Sequence, residues 1–336
     1  MIPPPRQPSS TAAVAVALLT VYIVWGSTYL AIAVMIETLP PLLAAGIRFV
    51  TAGILMLGAV WAHRRWRARS GEVAERTTWV HWRSAIVIGI LLLLGGNGLV
   101  VLAELRIPSG IAAVLIATEP IWIAVIASIL VRRWPTMRVI AGLVAGIVGV
   151  AILVLPVEGL TGIDPIGVGL VLAASLSWAS GSIYAQRAPL PKSGLLVTGM
   201  EMLAGGLALV TAGVVLGELG RADISTFSPR SLLAFAYLIV FGSIIAFTAY
   251  TWLLAHVSAS TAATYAYVNP LVAVALGAIL LSEPLTIRTL VATVLIVGAV
   301  IALVSGRQRA SDGIDPAPVP VHEDVPADRR RAASTD

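Results

Sequence analysis

Apolar residues in this chain form long continuous blocks rather than amphipathic stripes or alternating strands. Each block carries at most one charge and is near the ~20 residues that a helix needs to cross a ~30 Å hydrocarbon layer. A spanning strand needs only about ten residues and alternates in hydropathy, so the pattern predicts ten transmembrane helices and an all-α integral membrane protein. The blocks run over residues 11–36, 38–62, 84–103, 107–131, 135–155, 165–186, 193–217, 231–255, 257–282 and 289–306.

Composition excludes a soluble protein. Of the 336 residues, 58% are hydrophobic and 12% are charged, whereas a soluble domain has about a quarter of its residues charged. Cysteine is absent, so the chain forms neither disulfides nor thiolate metal sites. No cofactor, metal site or catalytic residue is expected.

The basic residues indicate how the chain lies in the membrane. With ten crossings and a cytoplasmic N-terminus, 17 Lys and Arg residues fall on the cytoplasmic side and four on the other. This bias follows the positive-inside rule and predicts a multi-pass protein of the cell membrane with both termini in the cytoplasm. The net charge of +5 is therefore a topology signal, and the expected partner is the lipid bilayer rather than nucleic acid.

An internal repeat divides the chain into two copies of five helices. A shift of 153 residues places Trp25 on Trp178, and a shift of 150 places Pro120 on Pro270. Because five is odd, the second copy starts on the opposite side of the membrane, and inverted repeats of this kind are typical of secondary transporters. The predicted units are a disordered tail at 1–11, repeats at 12–156 and 164–306, and a disordered tail at 307–336.

Three ionisable residues lie inside predicted spans: Arg48, Glu119 and Glu201. Intramembrane charges are costly and usually face a cavity or a partner. Arg48 and Glu119 differ in depth by only about 6 Å at ~1.5 Å per residue, which predicts an ion pair lining the pathway. The alternative is that Arg48 extends to the outer interface while Glu119 is a protonated, hydrogen-bonded core residue. Glu201 is a candidate proton site.

Aromatic, hydroxyl and amide side chains form a second candidate set for the substrate pathway. Several recur at helical spacings of three and four residues and therefore share a face. Such a face contacts an amphipathic solute by ring stacking while offering a few hydrogen bonds; the alternative is helix packing through small polar residues. The set comprises Trp25, Thr28, Tyr29, Asn97, Trp178, Ser182, Tyr265 and Asn269.

Pro120 and Pro270 fall mid-span at equivalent places in the fourth and ninth predicted helices. Proline removes a backbone hydrogen bond and kinks a helix. A freed carbonyl at membrane depth is tolerated only where protein or water satisfies it. The two prolines are therefore predicted hinges beside the pathway.

Six short motifs stand out along the chain: Trp25-Gly26-Ser27-Thr28-Tyr29-Leu30, Leu39-Pro40-Pro41, Gly46-Ile47-Arg48-Phe49, Pro108-Ser109-Gly110-Ile111-Ala112-Ala113, Ala263-Thr264-Tyr265-Ala266-Tyr267-Val268-Asn269-Pro270 and Leu281-Ser282-Glu283-Pro284-Leu285-Thr286. Together and in this order they resemble the EamA-type transporters of the drug/metabolite transporter superfamily. The likeness covers about residues 12–306 and implies a membrane carrier with a central cavity, commonly an exporter of amino acids, metabolites or toxic compounds. Two departures are Glu119, where an apolar or small residue is expected, and Arg132-Arg133-Trp134-Pro135 in place of the turn kept at Ser282-Glu283-Pro284.

The sequence thus favours a secondary transporter of small molecules that works by alternating access. No Walker-type phosphate loop is present, so proton antiport is the default energy source, with Glu119 and Glu201 as candidate carriers. A channel-like permease is an alternative, although rings of like charge are not evident. A membrane-embedded enzyme is disfavoured because no Asp lies within a span. Assembly as a homodimer is left open.

Overall fold

The computed structural model describes residues 11–68, 76–130, 132, 134, 137–154, 163–256 and 265–298. Within these residues the regular secondary structure is helical, without strands. The helices are α1 (Thr11–Met35), α2 (Pro41–Ala68), α3 (Trp79–Glu104), α4 (Ser109–Leu130), α5 (Met137–Val154), α6 (Pro165–Ala185), α7 (Gly194–Val215), the single turn α8 (Glu218–Arg221), α9 (Pro229–Tyr237 continued by Leu238–Ile245 and Ala246–His256), α10 (Tyr265–Leu280) and α11 (Ile287–Gly298).

Seven of the described helices are long and apolar enough to cross a membrane: α1, α2, α3, α4, α6, α7 and α9. Apolar stretches in α5, α10 and α11 are shorter, at 10–17 residues. The expected number of ten crossings is therefore not reached by this measure within the described part of the chain. The predicted tails lie outside the described residues except for Thr11, which already belongs to α1.

Helix α1 shows why the outer surface belongs in lipid. Val16, Leu19 and Ile23, spaced three and four residues apart, are more than half exposed, while Val21 on another face is fully buried. In water, such a helix would place polar residues on its outer face. An outer face that is as apolar as the inner one is the arrangement of a membrane-embedded helix.

Helices α2 and α7 cross in close backbone contact through four glycines. A Cβ on Gly46 would lie 2.6 Å from the Val210 nitrogen, and one on Gly53 would lie 2.7 Å from the Leu203 nitrogen. Contacts move down α7 as they move up α2, so the helices are antiparallel. The 153-residue shift pairs Gly46 with Gly199 and Gly53 with Gly206. In the contact the order is reversed, because Gly46 lies against Gly206 and Gly53 against Gly199. Small residues let helices approach in this way in membranes.

Three helices depart from regular α geometry in their middle. Helix α3 has a π-helical segment at Ile90–Gly98, and α9 has one at Leu238–Ile245. Helix α4 is interrupted by a turn at residues 117–118. Such π segments and breaks frequently mark functional sites.

Candidate functional site

A cavity lies between helices of the first half of the chain, α1 to α4, and helices of the second half, α6, α9 and α10. Protein atoms leave about 660 Å³ free there, including the space that is open to the outside. Its lining is mostly aromatic and apolar with a few polar groups. The lining residues are Trp25, Thr28, Tyr29, Ile32, Arg48, Gly96, Asn97, Val100, Ile116, Glu119, Ser175, Trp178, Phe247, Tyr265 and Asn269.

Helix α1 contributes one continuous face to this cavity. Trp25, Thr28, Tyr29 and Ile32 recur at intervals of three and four residues, which places them on the same side of a helix. The Thr28 hydroxyl donates a 2.6 Å hydrogen bond to the Trp25 carbonyl. This bond satisfies the donor of Thr28 inside its own helix, so its methyl and oxygen remain as cavity wall.

Arg48 is 3% exposed and lies on the α2 side of the cavity. Its Nε donates a 2.8 Å hydrogen bond to Oγ of Ser243 in the π segment of α9, and its guanidinium lies 4.4 Å from the centroid of the Phe49 ring. The predicted ion pair with Glu119 is not formed in this structure. The Arg48 side chain points toward α9 instead, where Ser243 offers it an acceptor.

Glu119 is 6% exposed and begins the second half of α4, directly after the break. Pro120 has no N–H to offer the carbonyl of Ile116, which removes one helical hydrogen bond at this point. Thr118 satisfies the Leu115 carbonyl with a 2.7 Å hydroxyl bond. Tyr265 on α10 donates a 3.5 Å hydrogen bond to Oε2 of Glu119, so this carboxylate connects the two halves of the protein.

Trp25 is the centre of an aromatic cluster. Its ring centroid lies 5.1 Å from Phe247, 5.0 Å from Tyr250 and 5.1 Å from Tyr265. The contacts with Phe247 and Tyr265 are edge-to-face, a favourable geometry for aromatic pairs. The indole Nε1 donates a 3.3 Å bond to the Gly242 carbonyl. These contacts fix the ring as a rigid wall of the cavity.

Asn269 is 5% exposed and immediately precedes Pro270 inside α10. Its amide, oriented so that nitrogen faces the acceptors, donates to the carbonyls of Tyr22 at 3.2 Å and Tyr265 at 3.3 Å. It therefore joins α10 to α1 beside the cavity. Gly96 in α3 has a comparable packing role, because a Cβ there would lie 2.7 Å from the Trp178 ring.

The structure brings nine of the eleven pathway residues predicted from sequence to this one cavity. Ser182 and Glu201 are not among the lining residues. Glu201 lies on α7 where Gly89 of α3 packs against its backbone carbonyl. Pro120 and Pro270 each follow a lining residue directly.

Sequence reasoning missed six lining residues and the partner of Arg48. Helical spacing would have found Ile32, which is seven residues after Trp25, and Val100, which is three after Asn97. Nothing in the sequence marks Ser243 as the acceptor for Arg48. The other missed lining residues are Gly96, Ile116, Ser175 and Phe247.

Two of the three relatives compared with the chain are transporters by name. It is 39% identical over 292 residues to the uncharacterized inner membrane transporter YedA of Escherichia coli, covering 87% of this chain and 90% of that protein. It is 27% identical over 285 residues to protein PecM of Dickeya dadantii, covering 83% and 88%. It is also 27% identical over 290 residues to the uncharacterized transporter YvbV of Bacillus subtilis, covering 86% and 90%.

A solved crystal structure of a protein shares this fold, with a TM-score of 0.59 at 19% identity, over 90% of this chain and 99% of the other. The model of the EamA-like transporter family matches residues 12–155 and 165–305, so two copies of the family domain cover most of the sequence. Together with the apolar helices, these matches show that the chain is a multi-pass membrane protein and that it belongs to the EamA-like transporter family.

Proposed function

We propose that this protein is a secondary transporter that exports a small molecule by alternating access. The observation that carries the proposal is the cavity bounded by helices of both halves of the chain. A site between two repeats becomes accessible from one side and then the other when the repeats rock against each other. Cavity residues from α4 meet those from α10 through the Glu119–Tyr265 hydrogen bond.

We further propose ten membrane crossings in two inverted five-helix repeats, at residues 12–156 and 164–306, with the tails 1–11 and 307–336 in the cytoplasm. The antiparallel contact of α2 and α7 supports this arrangement, because the second helices of two inverted repeats run in opposite directions through the membrane. The chain contains no cysteine, so single cysteines at positions 5 and 320 need no altered background. Both are expected to react with a membrane-impermeant maleimide only after the cytoplasmic membrane is opened.

Transport is tested in two stages. First, the protein is overproduced in a sensitive host that is challenged with toxic amino-acid analogues, metabolites and cationic drugs. Protection against one compound is expected, and lack of protection against every compound, with the protein detected in the membrane, would contradict export. Second, flux of the protective compound is measured in proteoliposomes. Saturation and counterflow support a carrier, whereas unsaturated flux without counterflow supports a channel-like permease.

We propose proton coupling, with Glu119 and Glu201 as the candidate proton carriers. Glu119 is supported by its place in the cavity wall, and Glu201 by its place within a membrane-spanning helix. Flux is compared at two pH gradients for the wild type, Glu119→Gln and Glu201→Gln. The wild type is expected to respond to the gradient and Glu119→Gln to lose that response. If the flux of the wild type were the same at both pH gradients, proton coupling would be excluded.

A further inference from the structure

The cavity contains two side chains of opposite formal charge that do not pair with each other. Arg48 is 3% exposed and Glu119 is 6% exposed; they are the ionic members of the described lining. Burial of a charge is costly unless a partner of opposite charge lies nearby. Neither residue has a salt bridge among the described residues, so each has the capacity to bind a charged group of a ligand.

The guanidinium of Arg48 is held in place while part of it remains unused. Ser243 accepts from Nε, and the Phe49 ring lies beneath the guanidinium. The terminal nitrogens donate to no acceptor in the described part of the chain, and they are not completely buried. Gly242 gives them room, since a Cβ there would lie 3.3 Å from Nη2. A fixed guanidinium with free N–H groups matches a carboxylate.

Glu119 has corresponding free capacity. Its Oε2 accepts one long hydrogen bond of 3.5 Å from Tyr265. Its Oε1 accepts a hydrogen bond from no donor among the described residues, and this oxygen is not completely buried. A carboxylate in this state accepts hydrogen bonds from an ammonium group. The aromatic rings of Trp25 and Trp178 complete the wall and suit an apolar or aromatic body.

We infer that the cavity selects an amphipathic zwitterion, whose carboxylate binds Arg48, whose ammonium group binds Glu119 and whose apolar body lies against Trp25 and Trp178. This inference rests on the proposed function only in taking the cavity as the substrate site. A molecule with both charges satisfies both buried side chains at once. A singly charged analogue leaves one of them unpaired, and an unpaired buried charge weakens binding.

The test uses matched ligands on the full-length wild-type protein in nanodiscs, with binding read from tryptophan fluorescence because two tryptophans line the cavity. One set is phenylalanine, hydrocinnamate and phenethylamine; a second is leucine, isocaproate and isoamylamine. In at least one set the zwitterion is expected to bind about tenfold or more tighter than both analogues, as expected for the loss of one charge-assisted contact. If no zwitterion is preferred in either set, the inference is wrong.

Variants then assign the two charges. Arg48→Gln is expected to bind phenylalanine no better than phenethylamine, and Glu119→Gln no better than hydrocinnamate. The matched controls are Arg230→Gln and Glu37→Gln, whose side chains are 58% and 41% exposed and lie outside the cavity lining. Both are expected to keep the wild-type preference. If all four variants kept the same preference for the zwitterion over its analogues, the assignment would be overturned. If Arg48→Gln does not fold, the comparison of ligands on the wild type still tests the inference.

Failure of this inference is distinguishable from failure of the proposed function. Saturable flux of phenethylamine or hydrocinnamate, equal to that of phenylalanine and unchanged in Arg48→Gln, would refute selection of a zwitterion while supporting a carrier. Lack of protection against every compound in the sensitive-host screen would count against the carrier itself. Zwitterion binding without flux would support the inference and contradict the transport proposal.

Discussion

Glu283 caps the N-terminus of α4 through Ser109. Its Oε1 accepts a 2.8 Å hydrogen bond from the Ser109 backbone N–H and a 2.7 Å bond from the Ser109 hydroxyl, and its Oε2 accepts one of 3.1 Å from the Gly110 N–H. The first N–H groups of a helix have no partner within the helix and carry partial positive charge. A carboxylate from the second half of the chain therefore fixes the start of the helix that carries Glu119.

Glu283→Gln is expected to lower the free energy of unfolding by about 1–2 kcal/mol, because the neutral amide loses the charge interaction with the helix end and one acceptor oxygen. Thermal unfolding of the purified protein in detergent measures the change. The control is Glu37→Gln, whose carboxylate lies 3.7 Å from Arg230 in an exposed pair and contributes little. An equal effect of both substitutions would contradict a capping role.

Gly53→Leu is expected to disrupt the crossing of α2 and α7. Even a Cβ at Gly53 would lie 2.7 Å from the Leu203 nitrogen, so a larger side chain forces the two backbones apart and removes close packing. Gly58→Leu in the same helix is the control, because no atom lies within 4 Å of its Cβ position. Yield of monodisperse protein after detergent extraction distinguishes the two, and similar yields would refute the contact.

Pro120→Ala is expected to reduce transport severalfold without loss of folded protein. Alanine restores an N–H that can bond to the Ile116 carbonyl, which favours a continuous α4 over the break beside Glu119. Flux in proteoliposomes, compared with the melting temperature, checks the prediction. Pro165→Ala is the matched control, since Pro165 lies at the first turn of α6, where its missing N–H costs no helical bond. Unchanged flux in Pro120→Ala would argue against a hinge there.

Asp164 is expected to give the protein an acid-dependent component of stability. A hydrogen bond from the Ile166 backbone N–H, and to a smaller extent one from the Arg106 side chain, lowers the pKa of this carboxyl below its ordinary 3.8. A lowered folded pKa means that the stabilisation is present above 3.8 and is lost as the pH falls through the folded pKa. The melting-temperature difference between wild type and Asp164→Asn should therefore be constant near neutral pH and shrink in acid. A difference that does not vary with pH would contradict this linkage.

Much of this protein could be read from its sequence because lipid imposes simple demands. The long continuous apolar blocks predicted membrane helices, because a helix satisfies its backbone hydrogen bonds within one segment and a spanning strand would be shorter and alternating. The cost of polar groups in the membrane singled out Arg48 and Glu119, and helical spacing placed Trp25, Thr28 and Tyr29 on one face. The motifs around these residues identified the family, which the family match at residues 12–155 and 165–305 confirms.

Only the tertiary structure decided which way each helix turns its polar residues. A helix that is apolar on every side contains no stripe to indicate its inner face, so the sequence predicts the position of a residue along its helix but not the rotation of the helix about its axis. The glycine contacts between α2 and α7 fix that rotation. They place Arg48 beside Ser243 instead of in an ion pair with Glu119, and Glu201 lies outside the cavity lining. Contacts between helices distant in sequence set these directions, because two helix backbones approach closely only where small residues such as glycine lie at the crossing.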